Sequence, residues 1–457
     1  MELYDFLPDS RIRDRSIQRW RKEAGVRAGA EAIEIDVLGH GQVDHESIRN
    51  ILKVFDDRDL FTLLLGLDGA LDNVNVSAVP IEECSLQRIA TRYAQTGFLN
   101  DPAAVPGMLL PRCSYPARPR GEEQKADFFR VHFVPPGAGL DLLDYRRVRR
   151  HSVAPLDPEY PAPVGCAPLL ATYDELEVAI DLDVDPAAYR LSPAPLGPTV
   201  VDRMRTIIGA MDEGGVRIGV MPEGCLSEEI VEKWQAVARE TSQPESTLDY
   251  LLIGSGPVGG HNPPFNRAVL IHRHSGQILM THDKMHRFTI DREMAAKWKI
   301  PGAPGDRWLE EDIATGDRLG ILDLGRVRLA VLICEDLSSS FAFDREIAAV
   351  GVSTLLVPIF ARPIRPHHWE TSGAQRLVNM TGSWIVVANS LVVTGDDGHT
   401  CLVAGPGDPD RETHDVRLQY GTATSAKDIS LVATKDGPVL PTILGGGGRL
   451  GWRGHEA

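Results

Sequence analysis

From about residue 173 onward the sequence predicts an α/β fold, preceded by a mixed, partly helical region of different character. Three observations carry this. Apolar runs of strand length recur along the second part of the chain, segments of helical period lie between them, and a proline-rich stretch separates the two textures. The length of 457 residues exceeds one ordinary domain and leaves room for a large α/β unit with an appendage.

Within residues 1–153, the segments 44–55 and 85–94 have amphipathic helical spacing, and 128–134 reads as a strand. Five prolines between residues 101 and 121 mark a loop. The basic run 146–151 reads as a solvated face in so acidic a chain. Pro155, Pro158, Pro161, Pro163 and Pro168 then predict an extended linker over 154–172. In the unit 173–437, residues 176–184 read as a strand, and Val201, Met204, Ile208 and Met211 fall on one face of a helix. Residues 217–221 form a short apolar strand running into Pro222 and Glu223. Ser227 can cap the next helix, whose apolar face is Ile230, Trp234, Val237 and Ala238. After a strand at 251–254, residues 268–273 and 277–280 pair as a hairpin across 274–276. The runs 327–333, 354–359 and 383–388 are strands of the buried type, and the glycine-rich tail 438–457 is expected to be flexible.

Composition narrows the function classes. Hydrophobic residues make up 43% and charged residues 25%, which is globular and excludes coiled coil, collagen and wholesale disorder. No apolar run reaches the ~18 residues of a membrane span, and the polar start has no signal-peptide core. A net charge of −16, from 48 basic and 64 acidic residues, argues against nonspecific binding to nucleic acid or anionic membranes. The six cysteines lack zinc or redox-motif spacing and are too sparse for a disulfide scaffold, so free thiols in the cytoplasm are expected.

Three apolar strands end on a chemically potent residue: Glu223 after Met221-Pro222, Lys284 in Lys284-Met285-His286, and Cys334 in Leu332-Ile333-Cys334-Glu335-Asp336. Taken singly, each is an ordinary strand end or a buried thiol. Their order and flanks resemble the carbon–nitrogen hydrolase (nitrilase) superfamily, with its Glu in a Pro-Glu motif, Lys in Lys-x-His, and Cys after an apolar strand. Phe265-Asn266, the strand 354–358 and the strand 386–389 are similar to further family segments, and the resemblance covers about residues 176–437.

The resemblance implies a four-layer α-β-β-α sandwich, a thioester on Cys334, and no metal or organic cofactor. It implies Glu223 as general base and Lys284 as oxyanion stabiliser, with the backbone N–H of Glu335 as a second donor. A thiol of ordinary pKa, about 8.5, is mostly protonated at neutral pH, so a neighbouring base is what such chemistry needs. Glu293 is the nearest match to the family's second carboxylate, and the loop carrying His367 and Trp369 corresponds to the substrate entrance. Nitrile hydrolysers usually have Trp after the Cys; Glu335 at that place looks more like amidases and carbamoylases. A small amide or carbamoyl substrate follows, together with a homo-oligomer, since subunits of this fold usually associate through their helix faces. Nitrile hydrolysis, acyl transfer to an amine, and a non-catalytic scaffold with the N-terminal region as interaction module all stay open on the sequence.

Overall fold

The computed structural model describes residues 16–40, 56–73, 89, 92, 98–99, 107–111, 113, 129–137, 139–148 and 451–452. It also describes 163–432 apart from 196, 299, 301–307, 325–326, 340–342, 395–398, 407–415, 424 and 426–429. Of the helices expected early in the chain, 44–55 lies outside the described residues, as does 85–94 except for Ile89 and Arg92.

The N-terminal region contributes helices α1 (Ser16–Lys22), α2 (Ala24–His40) and α3 (Asp57–Asn73), and the hairpin β1 (Met108–Pro111) with β2 (Val131–Val134). Buried Asp68 of α3 accepts the N–H groups of Arg130 and Val131 at 2.8 and 2.7 Å, fastening the hairpin to the helices. Strand β3 (Leu143–Arg147) leaves this region and pairs parallel with β13 (Leu319–Asp323) as the edge of the main sheet. The basic run is thus partly a strand: Arg147 pairs with buried Asp323 at 3.3 Å, while Arg146 stays at the surface with Asp144.

The stretch expected as a linker carries strand β4 (Val164–Cys166), which pairs parallel with β7 (Ile218–Val220) and antiparallel with β19 (Ser430–Val432). Its short apolar core, Val-Gly-Cys-Ala, sits between Pro163 and Pro168. A proline can precede a strand because it need only accept there, and the Pro163 carbonyl takes the N–H groups of Arg217 and Ile218. Leu169 and Leu170 are buried beyond it. The described part of the glycine-rich tail, β20 (Gly451–Trp452), likewise pairs with β18 (Arg417–Gly421).

Two sheets dominate. One runs β10 (Ile278–Asp283), β9 (Phe265–His272), β8 (Tyr250–Val258), β7, β4, β19. The other runs β20, β18, β17 (Cys401–Gly405), β16 (Trp384–Asn389), β15 (Thr354–Ile359), β14 (Arg328–Val331), β13, β3. Alternation along β8 and β9 shows what each face meets. Tyr250, Leu252, Ala268 and Leu270 join the core shared with the second sheet, whereas Leu251, Ile253, Val269 and Ile271 pack under helices α4 (Pro198–Glu213) and α5 (Glu228–Glu240). Burial on both faces is why these strands read as continuous apolar runs. Beyond the second sheet lie α8 (Asp344–Val350) and α9 (Trp369–Thr381), whose Ile347, Val350, Ala374, Leu377 and Val378 are in the core. Helix, sheet, sheet, helix is therefore the order of layers over this mixed α/β part.

The helix expectations rest on visible local chemistry. Pro198 opens α4 behind Gly197, and Met204, Ile208 and Met211 are buried. The Ser227 side chain caps α5 by accepting the N–H of Ile230, and Trp234 is fully buried. A smaller sheet, β11 (Thr289–Ile290), β12 (Leu309–Glu311), β6 (Ala187–Pro193), β5 (Leu176–Asp181), forms a wall beside these layers. Among the described residues, no helix is long and apolar enough to cross a membrane.

Candidate active site

The ends of the two large sheets meet at Glu223, Lys284 and Cys334. Glu223 lies just past β7, its N–H given to Ile359 of β15 and its backbone bridged to Ser255 of β8. Gly254, at φ +94, permits this crossing, because a Cβ there would collide with the Pro222 carbonyl and the Cys225 sulfur. Lys284 directly follows β10 and donates its N–H to the Asn266 carbonyl. Cys334 stands where β14 turns into the short helix α7 (Glu335–Ser338), at φ 49 and ψ −104. A non-glycine residue at positive φ is strained, by roughly 1–3 kcal/mol, and is held there by its surroundings; here the Cys334 N–H is tied to the Pro358 carbonyl at 3.0 Å.

The three side chains are buried to 5%, 1% and 3% exposure. The Lys284 ammonium donates to Glu223 Oε1 at 2.8 Å and to Glu311 Oε2 at 2.7 Å. Asn266 Nδ2 bridges the same two carboxylates at 2.8 and 2.9 Å, and the Phe360 N–H reaches Glu223 Oε2 at 2.9 Å. The Cys334 thiol has the Glu223 carboxylate and the Lys284 ammonium as its charged neighbours. Burial raises the Glu223 carboxyl above its ordinary range; Lys284 opposes this and the Glu311 charge adds to it. Burial disfavours the Lys284 charge, yet Glu223 and Glu311 outweigh it and hold the ammonium well above its usual range. The thiol is pushed well up by burial and by the Glu223 charge, so at rest it is protonated.

The carboxylate that meets Lys284 is Glu311, not the expected Glu293. Glu293 lies in the first turn of α6 (Arg292–Lys297), behind the Asp291 cap, and is exposed. Along β12 and the two residues after it, Leu309, Glu311 and Ile313 are buried while Glu310 and Asp312 are more open. That period-2 pattern sets an acid on an apolar face, a signal of a paired buried charge. Glu335 does not turn its carboxylate toward the site; it accepts the hydroxyls of Ser338 and Ser339. Its N–H is among the first donors of α7, which lack an intrahelical acceptor. His367 and Trp369 are exposed at the start of α9, and the cleft at Glu223 and Glu311 is walled by other residues. That narrow cleft is lined by Arg190, Leu191, Glu223, Asn266, Glu311 and Ile313. Among the described residues no group of three or more His, Cys, Asp or Glu is placed to hold a metal ion.

Fully buried Asp336 locks the thiol turn to the lysine loop. It accepts the N–H of Ile333 at 3.1 Å, those of Met285 and His286 at 3.1 and 2.9 Å, and His286 Nδ1 at 2.9 Å; the His282 ring lies 3.8 Å away. Burial alone would raise its carboxyl, but the His282 and His286 rings together hold it below the usual range. The hydrogen bond to Asp336 in turn raises His286. The stabilisation from Asp336 is present above its unfolded pKa and fades as pH falls through its lowered folded value. That from His286 is present below its unfolded pKa and fades as pH rises through its raised one. Asp336→Asn would set an amide NH2 against these donors and is expected to cost about 3 kcal/mol, read as a lower urea midpoint with unchanged slope.

No family model matches the sequence, and no curated protein matches it. Solved structures do match over about half the chain. An amidase from Nesterenkonia sp. is 18% identical, covering 56% of this chain and 86% of that one at a TM-score of 0.34. Saccharomyces cerevisiae Nit3, a member of branch 10 of the nitrilase superfamily, is 14% identical, covering 56% and 88% at 0.36. The C. elegans NitFhit protein is 17% identical, covering 56% and 60% at 0.35.

Proposed function

We propose that the protein hydrolyses a non-peptide carbon–nitrogen bond of a small amide or carbamoyl compound through a thioester on Cys334. One arrangement supports the reading above all: a buried thiol neighbouring a buried carboxylate that accepts a hydrogen bond from a buried ammonium. A protonated thiol needs a base at the moment of attack, and a carboxyl raised by burial is a better base than an ordinary one.

Glu223 takes the thiol proton as Cys334 Sγ attacks the carbonyl carbon. Two of the three ammonium hydrogens of Lys284 are held by Glu223 and Glu311, which leaves the third for the oxyanion, beside the N–H of Glu335. As the carbon–nitrogen bond breaks, Glu223 returns its proton to the leaving nitrogen, and ammonia or an amine departs. Glu223 then deprotonates a water that attacks the thioester, releasing the acid and restoring the thiol. A reducing, cytoplasmic setting suits this chemistry, and the five described cysteines are all free thiols. Self-association through the outer helices would use α9, where Met380 is exposed; the His132 ring of β2 already sits on the Ala349 carbonyl of α8.

The test is a screen of purified protein against small carboxamides, ureido acids and the matching nitriles, read as ammonia release. Turnover of a carboxamide or carbamoyl compound with little from the nitrile is expected. Robust nitrile turnover would reverse the substrate class, and absence of turnover across all three classes would remove the reading.

A further inference from the structure

The wall sheet brings a further polar group to this site. Tyr189 of β6 stands directly opposite Glu311 in the parallel ladder with β12, and its carbonyl accepts the Asp312 N–H at 2.8 Å. Paired residues of a parallel ladder send their side chains to the same face, so the phenol shares the face from which Glu311 reaches Lys284. Its ring is 2% exposed and packed in the apolar cluster with Leu309 and Met204. Glu311, Lys284, Glu223 and Cys334 are its charged or ionisable neighbours.

Resting on the amide-hydrolase reading, we infer that Tyr189 is a further substrate-contacting residue whose O–H donates to the carbonyl oxygen of the bound carboxamide. Burial and the Glu311 charge hold the phenol well above its ordinary range, so it keeps its proton and serves as a donor and not as a base. Lys284 has one N–H left over from its carboxylates, and an oxyanion can accept more than one bond. The phenol supplies a neutral donor without adding charge to a site that already holds two acids and one ammonium.

Tyr189→Phe removes the hydroxyl and keeps the ring. With a carboxamide substrate, kcat/KM is expected to fall about 100-fold, the lower end of the range seen for loss of a single oxyanion donor. A second readout needs no substrate: alkylation of Cys334 by iodoacetamide, which carries a carboxamide, against its reaction with methyl methanethiosulfonate, which does not. The ratio of the two rates should drop about tenfold in Tyr189→Phe, as expected for one lost hydrogen bond. Both reagents see the same folded fraction, so a change in stability cancels from the ratio. An unchanged ratio, or full carboxamide turnover by Tyr189→Phe, overturns the inference while a Cys334-dependent wild-type activity leaves the parent reading standing. Wild-type carboxamide turnover that survives Cys334→Ala overturns both.

Discussion

Cys334→Ala is expected to give a folded protein with no measurable ammonia release, a loss on the order of 10^4-fold or more, as found when a covalent nucleophile is removed. The expectation rests on position and not on acidity. All five described cysteines are buried, and burial also pushes Cys225 up. Cys225 gives its thiol to the Pro222 carbonyl at 3.0 Å, an acceptor that cannot take the proton away. Among the described cysteines, Cys334 is the one on which both the Glu223 carboxylate and the Lys284 ammonium act. Limiting iodoacetamide followed by peptide mass analysis should therefore label Cys334 first, with activity falling in step. Preferential labelling of Cys225 or Cys401 with activity retained would discard Cys334 as nucleophile.

The three potent strand ends were legible because each follows a run of apolar residues long enough to be read as buried, and a charge just past such a run stands out. Asp336 was visible only as part of an acidic pair, and nothing local tells which acid turns inward; the contrast between buried Asp336 and half-buried Glu335 arises from contacts with the loop 285–286, some 50 residues earlier. Glu311 was missed because proximity in sequence favoured Glu293, nine residues after Lys284, whereas strand pairing with β6 decides which acid meets the ammonium. Tyr189 had no signal beyond lying in a segment of mixed polarity. Strand β4 was concealed by its prolines, which mark both linkers and strand boundaries, and β3 by its arginines, two of which lie at a sheet edge. Each miss is a tertiary pairing overriding a local pattern.

Glu311→Gln separates the acid found at the lysine from the acid expected there. Glu223 is raised by burial, lowered by Lys284 and raised again by the Glu311 charge. Neutralising Glu311 removes that last contribution and frees the Lys284 ammonium to pair with Glu223 alone, and both changes lower the Glu223 pKa. A carboxylate of lower pKa is a weaker base toward the thiol and toward water, so kcat should fall about 10- to 100-fold, part of the roughly 10^2–10^4-fold that a general base contributes. The sign of the pH effect follows from the same charges. The acidic limb of kcat/KM, where Glu223 loses its ionised form, should move to lower pH in Glu311→Gln even as the plateau drops. Glu293→Gln, on the exposed first turn of α6, should leave both rate and profile within about twofold of wild type, the scale of a surface substitution. A large loss on replacing Glu293 with none on replacing Glu311 would mean that the Glu311–Lys284 contact is not the one that tunes the base.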